Sequence, residues 1–410
     1  MRAWGTPAAA LHALLLAAAA AGRRPPPPPA AAAAVGVATT VKIAAGVPVL
    51  ALNDSTTGTR AYFPHGLGWA GGDLILGVST QSDDLYDDGM RGRLVGSRGG
   101  GAAWADIPQP PGQNWLLEGC CLPGGPQAGA AYGLSYALRR TSDPGVASAH
   151  GILLGRRGDG AGVLAQLGTA NSSFAFGHPG WRPAGHPPCG CPQSPDDPCH
   201  GGKATPTQTL SMSGLGSSLV PAVRPLAGGG CGGLQLTTGY GFYERDAPSA
   251  AVAPPPSNLS IAVFAGAGQR WAWRSTAVHG PSLADRRCAG PSENGLLRLG
   301  DGRLLLVFRQ QTEKTLCFTT ASSSVAASCA ADATQWAEPA PLHQPAGGRA
   351  PWGVAPQLHR LVSSDLIVLT AGRPGIMMWV AADSATAAAG GGWEPFNLAA
   401  HHNAALPNLQ

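Results

Sequence analysis

A glutamate and an arginine bracket one short stretch, SENGLLRLGDGRLLLVFR over 292–309: Glu293 opens it and Arg309 closes it. Apolar residues fill two arms, and Gly300-Asp301-Gly302 between them has the composition of a hairpin turn. A carboxylate can carry a proton for a reaction, and a guanidinium donates two parallel hydrogen bonds to a planar anion. The two charges therefore either decorate a surface or face one site. A second arginine, Arg373, lies in LTAGRPGIMMW, where Gly-Arg-Pro-Gly is also a natural turn. Asp83, Asp84, Asp87 and Asp88 cluster in STQSDDLYDDG, a pattern shared with solvated and cation-binding loops. Cys189-Gly190-Cys191 and Cys199-His200 raise the question of zinc. They stand in a Pro/Gly-rich stretch around 180–205 with no paired CxxC spacing, so disulfides pinning an insertion are expected there, and no metal or cofactor is.

The elements that must position these charges read as strands. Short apolar runs alternate with Gly, Pro, Ser and Asp clusters: DLILGV (73–78), LSIAVFA (259–265), RLLLVF (303–308), DLIVLT (365–370) and GIMMWVA (375–381). Helical periodicity is nearly absent beyond the first residues, which predicts an all-β chain. Its 410 residues suit two or three average domains or one large repeat domain, and 44% apolar residues suffice for a core. Charged residues are 12% and the net charge is +4, with no Lys/Arg stripe interleaved with aromatics, so nucleic acid is not an expected partner.

The first residues read as targeting. Arg2 precedes an alanine/leucine run from Leu11 to Ala21, predicting a signal peptide over 1–22 and, through PPPPPAAAAA, a semi-rigid linker over 23–48. No stretch reaches the length of a membrane-spanning helix. Sequons begin at Asn53, Asn171 and Asn258, and nine cysteines suit an oxidising compartment, their odd number leaving one thiol unpaired or shared between chains. A secreted or cell-surface monomer is the expectation, with 49–410 as its folded domain.

A repeat emerges when tryptophans are aligned. SRGGGAAW ends at Trp104, FAGAGQRW at Trp271, CAADATQW at Trp336 and TAAAGGGW at Trp393. The fifth position is always Gly or Ala, and the last three tryptophans are 65 and 57 residues apart. About 30 residues upstream of three of them lies a similar apolar arm: Leu74-Ile75-Leu76, Leu304-Leu305-Leu306 and Leu366-Ile367-Val368. A strand pair, a small-residue turn and a Trp make up one propeller blade, and blades of this length number about six between residues 50 and 410.

These windows resemble the Asp-box repeat of sialidases, S-x-D-x-G-x-T-W, although the aspartate position holds Gly99, Gly266, Ala331 or Ala388. The resemblance implies an all-β, six-bladed sialidase-type β-propeller and an exo-acting glycosidase for terminal sialic acid or a related acidic sugar, without cofactor. It further implies arginine clamps on the sugar carboxylate, a tyrosine nucleophile assisted by a glutamate, and an aspartate as acid/base. On it Glu293 is the base partner, Arg309 and Arg373 are clamp residues, and Asp83 or Asp84 is the acid/base. Two departures stand out. The family's leading Phe/Tyr-Arg-Ile-Pro motif aligns with Tyr62-Phe63-Pro64-His65, leaving Arg60 and His65 as the nearby candidates. The six tyrosines end at Tyr243, so none follows Arg373 before Gln410. Either the sequence is a piece of a longer one, or the site lacks its nucleophile. The second function consistent with the residues is a non-catalytic propeller that binds acidic glycans or proteins.

Overall fold

The apolar runs fold as strands because their β-branched and leucine side chains pack against neighbouring sheets, on alternate residues in Leu366–Gly372 and on nearly all in Leu304–Gln310. The computed structural model describes residues 53–54, 59–60, 63–70, 73–79, 92–98, 103–108, 115–120, 131–135, 139–141, 143, 146–149, 151–156, 164–169, 171–175, 214–215, 220–221, 235–241, 259–267, 270–311, 315–321, 336–343, 351–361, 365–372, 376–383, 385–398 and 400. The chain divides into two compact units, Met1–Thr39 and Thr40–Gln410, and every described residue belongs to the second. The expected signal peptide, the proline-rich linker and the cysteine-rich stretch 180–205 lie outside the described residues.

A ribbon of β1 (Asn53–Asp54) and β2 (Thr59–Arg60) precedes β3 (Phe63–Ala70), β4 (Asp73–Ser79), β5 (Gly92–Arg98) and β6 (Ala103–Ile107). Then come β7 (Trp115–Cys120), β8 (Ala131–Ser135), β9 (Arg139–Arg140), β10 (Val146–Ala149), β11 (Gly151–Arg156), β12 (Leu164–Thr169) and β13 (Ser172–Ala175). The middle of the chain supplies β14 (Gly214–Leu215), β15 (Val220–Pro221), β16 (Gln235–Gly241), β17 (Ser260–Ala267) and β18 (Arg270–His279). Two meanders follow: β19 (Pro291–Arg298), β20 (Leu304–Gln310), β21 (Leu316–Ala321) and β22 (Ala340–Pro341), then β23 (Val354–Leu361), β24 (Leu366–Gly372), β25 (Ile376–Ala382) and β26 (Glu394–Asn397).

The last two meanders are separate four-stranded antiparallel sheets in sequence order. Two eight-stranded sheets hold the rest, ordered β12-β11-β8-β7-β3-β4-β5-β6 and β14-β16-β17-β18-β13-β10-β9, with β15 also on β16. In each, one parallel pair (β3 with β7, or β13 with β18) joins two antiparallel arms. Repeated antiparallel meanders define an all-β chain in a β-propeller arrangement. Among the described residues, no helix is long and apolar enough to cross a membrane.

Strand β20, LLLVFRQ, shows why its apolar run is continuous. Leu304, Leu306 and Phe308 pack with Ile261 and Val263 of β17, while Leu305 and Val307 pack with Ile367, Leu369, Trp379 and Trp393 of the last sheet. Both faces of the strand are therefore core, and Leu305, Leu306, Val307 and Phe308 are fully buried. Each such side chain contributes roughly 1.5–3 kcal/mol. A disulfide between Cys288 and Cys317 fastens the short 3₁₀ turn Arg286–Cys288 to β21.

The tryptophan windows fall where the strand order requires a turn: between β5 and β6, β17 and β18, β21 and β22, and β25 and β26. Trp271 and Trp393 are buried, and Trp271 stacks on Phe174 across the β13–β18 pair with ring centroids 5.7 Å apart. Trp336 is half-buried and donates from Nε1 to Ser275 Oγ at 3.1 Å. The aspartate position of the second window admits no side chain: a Cβ on Gly266 would stand 2.2 Å from the Arg270 carbonyl oxygen.

Candidate functional site

Glu293 and Arg309 meet, and a β-bulge is the reason. Pro291 pairs with Gln310 and Asn294 with Phe308, so Ser292 and Glu293 together oppose the single residue Arg309. Both opposed residues then bond to it. Arg309 Nη1 donates to Glu293 Oε2 at 3.0 Å, and Ser292 Oγ donates to the Arg309 carbonyl at 3.3 Å. Arg309 continues the odd-numbered face of β20, the one that Leu305 and Val307 turn toward the last sheet, and so points to the same neighbour at the strand end.

That neighbour carries a matching bulge. Val354 pairs with Gly372 and Gln357 with Thr370, which leaves Ala355 and Pro356 opposite one residue. Ala355 stands at φ 49°, a left-handed conformation that costs an L-residue about 1–2 kcal/mol, and its N–H leaves the ladder. It donates to the same Glu293 Oε2 at 2.9 Å. Close approach of the strands permits this: a Cβ on Gly295 would lie 2.9 Å from the Pro356 carbonyl oxygen. The glutamate thus ties β19, β20 and β23 together at one strand end.

Both charged groups are mostly enclosed, with 15% of the Arg309 side chain and 26% of the Glu293 side chain exposed. Arg309 Nε is buried without a hydrogen-bond partner among the described residues. A buried guanidinium donor left unpaired is uncommon, and an anion at this strand end would satisfy it. The carboxylate and the cation thus form an enclosed pair at one strand end.

On the other face of the same strand, Asn294 is buried and accepts at Oδ1 from Thr238 Oγ1 of β16. Asn294 Nδ2 in turn donates to the Ser292 carbonyl at 3.1 Å. Neither these two residues nor the Ala355 N–H was singled out from the sequence. The signal for Asn294 was present, a polar amide inside an otherwise apolar strand. A backbone donor has no signature in residue types.

The other end of the hairpin is held separately. Gly300 N donates to both carboxylate oxygens of Asp383, at 3.1 and 2.8 Å, and Arg360 Nε donates to Asp383 as well. Asp301 and Arg303 pair across the turn at 2.7 Å, and the Asp301 carboxyl sits below its ordinary range: burial pushes it up, but hydrogen bonds from Arg303 outweigh that. Asp285, capping the 3₁₀ turn, is held low by the Arg287 guanidinium and backbone N–H.

The remaining sequence candidates are placed only in part. Arg60 lies on β2 opposite Asn53, and His65 is the extra residue of a bulge in β3, between the pairs Pro64–Val78 and Gly66–Gly77. Asp83, Asp84 and Arg373 lie outside the described residues. Among the described residues, no group of three or more His, Cys, Asp or Glu side chains is arranged to hold a metal.

The class defined by this strand order and strand-end pair is a β-propeller with an enclosed Glu–Arg couple. No family model matches the chain, and no curated protein matches it. Solved structures do resemble it. A protein of unknown function from Dyadobacter fermentans is 13% identical with a TM-score of 0.44, the match covering 83% of each chain. An alpha-l-arabinofuranosidase from Fusarium graminearum is 10% identical with a TM-score of 0.45, over 81% of this chain and 79% of that one. The Trypanosoma rangeli sialidase is 9% identical with a TM-score of 0.41, over 78% of this chain and 47% of its own.

Proposed function

We propose that the chain is a sialidase-like glycosidase, a six-bladed β-propeller that takes a terminal sialic acid, or a related acidic sugar, at the bulged ends of β19, β20 and β23. The observation that carries this is the Glu293–Arg309 pair, whose buried Arg309 Nε has no hydrogen-bond partner among the described residues. Six antiparallel arms support the blade count: β3 to β6; β7, β8, β11 and β12; β9, β10 and β13; β14 to β18; β19 to β22; and β23 to β26.

In this reading Arg309, with Arg373 and with Arg60 or His65, holds the sugar carboxylate. Glu293 draws the proton from a neutral nucleophile, and Asp83 or Asp84 protonates the leaving oxygen. A neutral nucleophile suits the substrate, because an anionic one would repel its carboxylate. The buried disulfide supports placing the chain outside the cell or at its surface, as a single protomer acting on glycoconjugates.

A second reading, a non-catalytic propeller that binds acidic glycans, is favoured by one specific feature. Glu293 Oε2 is already engaged by Arg309 and Ala355. A fluorogenic α-sialoside separates the two. Fluorophore release by the chain, lost in Glu293→Gln, supports the hydrolase. Saturable binding without release supports the second reading, and absence of both sinks the acidic-sugar assignment.

A further inference from the structure

The Glu293–Arg309 pair is set from both sides of its strand, and only one side belongs to the site. Bulge residues alternate with ladder residues, so Glu293 turns toward β23 while Asn294 turns toward β16 of the preceding sheet. Thr238, fully buried on β16, donates its hydroxyl to Asn294 Oδ1, and Asn294 Nδ2 donates to the Ser292 carbonyl. Ser292 Oγ then donates to the Arg309 carbonyl. Every member is almost completely buried: Thr238 is 0%, Asn294 2% and Ser292 2% exposed. The chain of bonds runs from one sheet, through the bulge, to the backbone of the arginine.

From this we infer that Thr238 and Asn294 are positioning residues for the Glu293–Arg309 pair, fixing the bulge that aims the glutamate at Arg309 and Ala355. The physical reason is that a bulge leaves ladder groups unpaired, so its conformation needs bonds from outside its own sheet. Asn294 supplies one, from the amide to the Ser292 carbonyl within the bulge. The Ser292 carbonyl, which can only accept, fixes which way that amide is turned, and Thr238 holds the amide there by donating its hydroxyl to the oxygen that faces β16. An amide rotated the other way would present its oxygen to the Ser292 carbonyl and repel it. The sheet carrying β16 would thereby set the geometry of a site to which it contributes no ligand group.

The relay is testable apart from any ligand, although its relevance to sugar binding rests on the proposed function. Amide hydrogen exchange of Ala355, whose N–H is held by Glu293, reports the glutamate's position in the full-length chain. Thr238→Val, which keeps the shape and removes the hydroxyl, is expected to speed Ala355 exchange about tenfold, the effect of one buried hydrogen bond. Thr238→Ser is expected to restore it. Ser292→Ala, a milder change at the far end of the relay, is expected to speed Ala355 exchange by a smaller factor, about threefold. Unchanged Ala355 protection in Thr238→Val and Ser292→Ala overturns the inference. So does an equal loss of protection throughout β16 to β24, which marks a merely structural role. Calorimetric titration of the same proteins with N-acetylneuraminic acid then reads the site itself. Weaker binding in Thr238→Val, rescued in Thr238→Ser, supports the positioning role. Absence of binding by the unmodified chain sinks the acidic-sugar assignment instead, with the relay still decided by exchange.

Discussion

Removing the Glu293 carboxylate tests the physical basis of the site without any ligand. In Glu293→Ala two donors lose their acceptor at once: Arg309 Nη1 at 3.0 Å and Ala355 N at 2.9 Å. Hydrogen bonds to a charged group contribute about 1.5–3 kcal/mol each, and leaving a partner buried without a replacement costs a similar amount. The two share one oxygen, and a quarter of the glutamate side chain is exposed, so incoming water offsets part of the loss. The expected destabilisation is about 2–4 kcal/mol. Glu293→Gln keeps an acceptor oxygen in place and loses only the charge, so about 1–2 kcal/mol is expected. Guanidinium chloride unfolding measures both as shifts of the midpoint at constant slope. A loss below about 0.5 kcal/mol in both variants, the value of an exposed ion pair, would refute the claim that the bulges enclose this pair.

Three further outcomes follow from the fold. Gly390→Ala should destabilise by about 2–4 kcal/mol, since Gly390 has φ 79° and its Cβ would stand 2.1 Å from the Phe318 ring; Gly168→Ala, with open space around it, should stay within about 0.5 kcal/mol by the same thermal or denaturant assay. Cys288→Ser with Cys317→Ser should cost about 3–4 kcal/mol in a denaturant unfolding assay, because the bond closes a loop of 29 residues. Asp285, with its folded carboxyl held below the ordinary 3.8, contributes stability that is complete above that value and lost as pH falls through the depressed one; Asp285→Asn should flatten the acid limb of a stability-versus-pH curve below about pH 4.

Much of this architecture was legible in the sequence because it rests on side-chain pattern. LLLVF predicted a strand, and Leu304 to Phe308 contact one core with even positions and another with odd ones. The Trp windows marked turns between neighbouring strands because a large aromatic followed by a strand needs a small-residue turn to enter it. The sequence left open whether Glu293 and Arg309 decorate a surface or face one site, and the structure brings the two side chains together. What decided it was not legible. A bulge inserts one residue without any obligatory residue type, yet it places Ser292 and Glu293 opposite the same arginine. The Ala355 N–H depends on a left-handed alanine, which no propensity favours. Asn294 and Thr238 lie 56 residues apart, and only the packing of two sheets brings them together.

The most direct measurement is calorimetric titration of N-acetylneuraminic acid into the full-length chain and into Arg309→Ala. If the strand end of β19, β20 and β23 holds an acidic sugar, the unmodified chain should bind it and Arg309→Ala should weaken binding by at least about tenfold, the effect of one charge-assisted pair. The variant should keep its unfolding cooperativity, so that the loss reads as binding and not as misfolding. Equal affinity in the two proteins would contradict the account and return Arg309 to a purely structural tie between neighbouring sheets.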